Sequence, residues 1–85
     1  MSPLRTFHVR VLSANDTKLE TDAYSLSARN RTGKFDILGD HMPFITLLTP
    51  CTITIRTLNR DLEQIEIQRG LLKFVDNDAV ILMDL

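Results

Sequence analysis

The chain holds one cysteine, no tryptophan, and only three glycines and three prolines in 85 residues. A single thiol, Cys51, closes no internal disulfide and builds no cysteine zinc site, which excludes a disulfide-stapled secreted scaffold. Three glycines, none adjacent to another, do not form a phosphate-cradling loop. Neither sign of charge prevails: ten basic residues face eleven acidic ones, for a net charge of −1. The basic stripe expected of a nucleic-acid binder is therefore missing. No apolar run approaches the roughly 18 residues of a membrane span. His8 and Arg10 break the N-terminal segment before it reaches signal-peptide length. The sequons Asn15-Asp16-Thr17 and Asn30-Arg31-Thr32 thus stand without other signs of secretion, and a cytoplasmic compartment is expected.

What is present points to sheet. Apolar residues make up 44% of the chain, enough for one core, and no linker, repeat or low-complexity tract divides residues 1–85. The prevailing period is two. Phe7, Val9 and Val11 alternate with His8 and Arg10, Ile53 and Ile55 with threonines and Arg56, and Ile65 and Ile67 with Gln64, Glu66 and Gln68. Such alternation places one side-chain set in a core and the other in solvent. The run Ala79–Met83 is apolar throughout and reads as a strand covered on both faces. Turn-forming clusters such as Arg31-Thr32-Gly33, Leu38-Gly39-Asp40 and Asp76-Asn77-Asp78 recur about every ten residues, the rhythm of an all-β sandwich or barrel. A helix fits only across Asn59–Gln68, where the Ile65/Ile67 alternation favours a strand instead. One phase change stands out: Leu19, Thr21 and Ala23 share a face, whereas Tyr24, Leu26 and Ala28 follow the other parity. A bulge near Ala23-Tyr24 accounts for this, and so do two short strands joined by a bend.

Catalytic chemistry finds little support. Ser13, Ser25 and Ser27 have no base nearby in sequence and no glycine-framed elbow. Asp36, Asp40 and His41 are the one polar constellation, two carboxylates and an imidazole of the kind that ligate divalent metals. The bland alternative is that they shape the turn ahead of Pro43. Cys51 reads as a small half-buried residue without a basic partner to activate it. Arg29, Arg31 and Lys34 surround Gly33 as a basic loop tip, either simply solvated or facing an acidic or polar partner.

The stretch Gly33-Lys34-Phe35-Asp36-Ile37-Leu38-Gly39-Asp40-His41-Met42-Pro43-Phe44-Ile45-Thr46-Leu47-Leu48-Thr49-Pro50 resembles the signature of the epsilon subunit of F-type ATP synthases, called delta in mitochondria. Its features are a glycine, Ile-Leu, a histidine two residues before a proline, an apolar strand and a second proline. Phe7-His8-Val9-Arg10-Val11-Leu12-Ser13 is similar to the family's first strand, and Gly70–Met83 to its closing hairpin. The resemblance spans about residues 6–84. It implies a flattened β-sandwich of about eight to ten short strands, non-catalytic and without a cofactor. It also implies a place at the foot of the central stalk, where the domain packs on the gamma shaft and touches the c-ring.

Carried over by position, Arg31, Thr32, Gly33 and Lys34 correspond to the ring-facing tip, and His41, with Met42 beside it, to the gamma side. Three positions depart from the family pattern. Lys34 stands where an acidic residue is common, Cys51 where a glycine usually follows the second proline, and Arg69-Gly70 where the family has Gly-Gly. If the glycine at position 51 is needed for a positive φ, cysteine would strain the turn. The sequence as given stops at Asp84-Leu85, so neither the family's C-terminal helical hairpin nor an ATP site is expected from it. The expected location is peripheral, on the cytoplasmic face of the plasma membrane or the matrix or stroma side of an organelle. Two other readings stay open: a β-sandwich adaptor outside the synthase, and a metal-dependent enzyme built on Asp36, Asp40 and His41.

Overall fold

Each alternating segment forms a strand in the computed structural model, which describes residues 5–59 and 61–84. In chain order the strands are β1 (Phe7–Leu12), β2 (Thr17–Asn30), β3 (Gly33–Leu38), β4 (Phe44–Leu48), β5 (Cys51–Thr57), β6 (Leu62–Ile67), β7 (Gly70–Val75) and β8 (Asp78–Met83). The all-β expectation holds, and β6 occupies the segment where a helix competed. The strands form one hydrogen-bonded ladder, β4-β7-β8-β1-β2-β5-β6, with β3 also paired to β2. All neighbours run antiparallel except β1 and β8, which are parallel.

Strand β2 makes a sandwich out of this single ladder. Ala23 pairs with Phe7 of β1 and with Thr57 of β5, so those strands flank opposite edges of β2. Ser25 and Ser27 pair with both β3 and β5, which puts β3 beyond β1 along the same edge. The sheet then curls until its far end returns. Thr49 N donates to Arg29 O (3.1 Å), Asn30 Nδ2 donates to Thr46 Oγ1 (3.1 Å), and the Phe35 and Phe44 rings meet edge to face. The enclosed core draws on all eight strands, with Phe74, Leu26, Ile37, Ile53, Ile55 and Ile81 among its fully buried members. Burial of each such side chain is worth about 1.5–3 kcal/mol, the main force holding so short a chain together.

The phase change in β2 is a bulge. Ala23 lies opposite Thr57 and Ser25 opposite Arg56, leaving Tyr24 as the inserted residue. Before the insertion Ala23 faces the core; after it Leu26 and Ala28 do. The connections follow equally local rules. Asp76 and Asn77, with φ of 50° and 59°, make the two-residue turn between β7 and β8, matching the primed turn geometry that asparagine and aspartate tolerate. Cys51 and Arg69 are not among the residues with positive φ, so neither departure from the glycine pattern strains the backbone.

One expectation needs correction. Strand β8 is buried on one face only: Ala79, Ile81 and Met83 point inward, while Asp78, Val80 and Leu82 remain half-buried on the other. No second layer lies over that outer face among the described residues. Charged neighbours flank it there, with Arg10, Lys73 and Asp76 around Val80.

Candidate functional site

The hairpin between β2 and β3 closes on Arg31 and Thr32, with Asn30 opposite Gly33. Its backbone is tied down from within. Thr32 N and Thr32 Oγ1 both donate to Asn30 Oδ1, at 2.9 and 2.7 Å. Gly33 takes a φ of 125°, a conformation open to glycine at little cost. Arg29 and Lys34 then face each other directly across the two strands, and with Arg31 they make an exposed tip of three cations. Among the described residues the ion pairs lie elsewhere, at Arg5–Asp40, His8–Glu20, His8–Asp22, Arg10–Asp78 and Lys18–Asp16.

The Gly39–Pro43 connection is held differently. Asp40 takes a φ of 65°, a left-handed conformation that aspartate, like asparagine, adopts more readily than most side chains. Its N–H donates to Asn77 Oδ1 (2.7 Å) while its carboxylate accepts from Asn77 Nδ2 (2.9 Å), locking the connection to the β7–β8 turn. Gly39 sits so close to Arg5 that an added Cβ would lie 2.5 Å from Arg5 Cβ. His41 is fixed by its Nδ1 donating to Met42 O (2.8 Å) and by edge contacts with the Phe44 and Phe74 rings. Met42 beside it is 76% exposed.

The metal constellation does not assemble. Asp36 accepts from Ser27 Oγ (2.5 Å), Asp40 pairs with Arg5 Nε (3.2 Å) and Asn77, and His41 turns toward two phenylalanines. Each group thus belongs to a separate network. No set of three His, Cys, Asp or Glu side chains is placed to hold a metal among the described residues. Asp36, Asp40 and His41 therefore do not form the metal site that the sequence suggested.

A feature that sequence reasoning missed lies on the outer face of β4, β7, β8 and β1. Leu47 pairs with Leu71, Leu71 with Leu82, and Leu82 with Leu12, a row of four leucines across four strands. At about 4.8 Å per strand spacing the row is roughly 14 Å long. Leu47 is 69% exposed and the other three are half-buried. Along β4 the row continues through Ile45, 64% exposed, toward Met42. Leu47 also borders a cleft with Asn30, Arg31 and Thr32, and another of about 480 Å³ with Leu71 and Arg69. The leucine row and the cationic tip are therefore one continuous surface. The signal for it was available: Val11-Leu12, Leu47-Leu48, Leu71-Leu72 and Ile81-Leu82 are adjacent apolar pairs within strands, and alternation must leave one of each pair outside.

Away from the leucines the same face turns polar. His8 pairs across strands with Asp22 and Asp78, and its ring bridges Asp22 Oδ1 (2.9 Å) and Glu20 Oε2 (2.7 Å). The hydrogen bond to Asp22, then that to Glu20, raises the His8 pKa above its ordinary value.

Residues 6–85 match the family described as ATP synthase, Delta/Epsilon chain, beta-sandwich domain. The chain is 29% identical over 79 residues to the ATP synthase epsilon chain of Wolbachia pipientis wMel, covering 93% of this chain and 69% of that protein. It is 30% identical over 78 residues to the chloroplastic epsilon chain of Mesostigma viride, covering 92% of this chain and 59% of that one. Its fold matches a chain of the Euglena gracilis mitochondrial ATP synthase assembly with TM-score 0.86 at 16% identity, over 95% of this chain and 51% of the other. A chain of the Tetrahymena thermophila mitochondrial ATP synthase central stalk and c-ring matches with TM-score 0.76 at 18% identity, over 92% and 63%. The sequence thus spans roughly half to two-thirds of the length of these proteins.

Proposed function

The chain belongs to the ATP synthase delta/epsilon family as its β-sandwich domain, and we propose that it is a non-catalytic rotor component linking the gamma shaft to the c-ring. In this reading Arg31, Thr32, Gly33 and Lys34 face the ring. Met42 opens the shaft-facing side, His41 holds its loop in place, and the leucine row extends it. The observation that carries the reading is the continuity of the apolar surface with the cationic tip at Leu47. A connector must hold two partners at once, and adjacent surfaces of different chemistry suit that task. Contiguous exposed apolar patches on small soluble domains commonly mark protein interaction sites.

The domain performs no chemistry of its own in this role. It locks shaft to ring so that ion-driven rotation reaches the catalytic head, and it is peripheral, reaching the membrane through the complex on the cytoplasmic, matrix or stroma side. No helix among the described residues is long and apolar enough to cross a membrane. An adaptor outside the synthase has no observation favouring it. Co-purification with the cognate gamma subunit tests the proposal: a stable complex at micromolar concentration is expected, and Leu71→Asp is expected to abolish it while the fold persists. Absence of a complex with the unaltered chain refutes it.

A further inference from the structure

The tip carries a charge pattern that no ion pair among the described residues compensates. Arg29 and Lys34 stand directly opposite on β2 and β3, and like charges in that position disfavour strand pairing. Arg31 adds a third cation, and residues 29–34 contain no acid. Asp36, two cross-strand pairs further along, is engaged by Ser27 Oγ at 2.5 Å. Glu66 lies across β5, opposite Thr52. Between the tip and the start of β5 is a cleft of about 290 Å³ bordered by Arg29, Lys34, Thr52 and Thr54. It is large enough to receive a side chain and offers two hydroxyl donors beside two cations. The hairpin is held rigid by Asn30, Thr32 and Thr46, so ordering it on contact costs little.

We infer that the ring-side partner presents carboxylates to this tip, so that a loop bearing Asp or Glu docks between Arg29, Arg31 and Lys34. The inference rests on the reading of the tip as ring-facing and names the chemistry of that contact. Anionic lipid fits less well. Attachment of a segment to a membrane surface through basic side chains takes clusters of about four to eight, whereas this tip has three cations on a chain of net charge −1.

The test uses the assembled synthase with its own c-ring. A photo-cross-linker at Thr32 reports whether the tip meets the ring, independently of charge. Arg31→Glu and Lys34→Glu are each expected to weaken retention of the chain on the ring about fivefold at low salt, with the difference shrinking at high salt. Lys34→Arg is expected to behave as the unaltered chain, and an Asp→Lys or Glu→Lys change in the ring loop to restore binding of Lys34→Glu. Thermal melts no lower than that of the unaltered chain establish that the variants fold, with Lys34→Glu expected to melt slightly higher because it stands opposite Arg29. If Thr32 cross-links to the ring but charge reversal leaves retention unchanged or tightens it, the inference fails and the rotor reading stands. If Thr32 does not reach the ring, both fail. Binding of the unaltered chain, but not Lys34→Glu, to vesicles of anionic lipid without a ring cross-link replaces the carboxylate partner with lipid and overturns the proposal.

Discussion

Ile81 and Leu82 are neighbours in β8 that face opposite ways, and together they test whether the outer leucine row is an interface or part of the core. Ile81 is fully buried, and Leu82 is half-buried between Leu71 and Leu12. Truncating a fully buried isoleucine removes its transfer free energy and leaves a cavity, so Ile81→Ala costs about 2–5 kcal/mol. In a domain of this size each kcal/mol lowers the melting temperature by about 4–8 °C, so the loss is at least roughly 8 °C. Total stability is expected to be only about 4–13 kcal/mol. Should Ile81→Ala fail to fold, Ile81→Val, at about 0.5–1.5 kcal/mol, serves as the milder probe.

Leu82→Thr places a β-branched residue, which suits a strand, and forfeits only part of a leucine's burial, at most about 1 kcal/mol. Its melt shifts correspondingly little. On the gamma subunit the exposed half of that leucine is expected to contribute about 1 kcal/mol, roughly fivefold in Kd. Thermal melts followed by circular dichroism and titration calorimetry with gamma read the two quantities separately. If Leu82→Thr destabilises the domain as much as Ile81→Ala, the row belongs to the core. If it leaves the gamma affinity unchanged, the row is not the docking surface.

Other predictions rest on single contacts. Gly39→Ala places a Cβ 2.5 Å from Arg5 Cβ and 2.6 Å from Arg5 O, so a cost of about 1–3 kcal/mol is expected, with amide shifts at Thr6 and Phe7. Gly33→Ala meets open space but must adopt a φ of 125°; a loss of about 1–3 kcal/mol, without effect on the core's hydrogen exchange, is expected from backbone strain alone. His8 has a pKa raised above 6.5 by Asp22 and then Glu20. Its bridge therefore stabilises the fold fully below about pH 6.5, and the stabilisation is lost as pH rises through the raised folded value. His8→Gln should lower the melting temperature near pH 5.5 and do so less near pH 9; a pH-independent difference contradicts the assignment.

Most of the fold was legible because its determinants are local. Phe7, Val9 and Val11 alternate, Asp76-Asn77 supplies a turn that accepts two positive φ values, and the parity reversal after Ala23 announces the bulge at Tyr24. The surface was less legible because it depends on which strands become neighbours. Leu12 aligns with Leu82, Leu71 and Leu47 only after β1 lies parallel to β8 and β4 pairs with β7. No short-range pattern specifies that order. The same holds for Asp40 and Asn77, which are 37 residues apart in sequence and bond twice. The Asp36, Asp40, His41 grouping failed for the converse reason: closeness in sequence across a turn says nothing about direction, and the turn sends each side chain to a different partner.

The features least favourable to the isolated domain lie together. Strand β4 is a sheet edge that exposes Ile45 and Leu47, an arrangement that invites aggregation and that soluble domains ordinarily blunt with charge. The adjoining β2–β3 hairpin opposes Arg29 to Lys34, which weakens its own pairing. Core packing, turn chemistry and polar satisfaction are otherwise consistent throughout: among the described residues no buried side-chain polar atom lacks a partner. When a sequence obeys the folding rules nearly everywhere, its local violations tend to coincide with function. Here the two violations are neighbours, because Leu47 of β4 shares a cleft with Arg31 at the turn of the β2–β3 hairpin. A partner that covers β4 and another that neutralises the tip would each remove one of them, and the domain is expected to be more stable between its partners than alone.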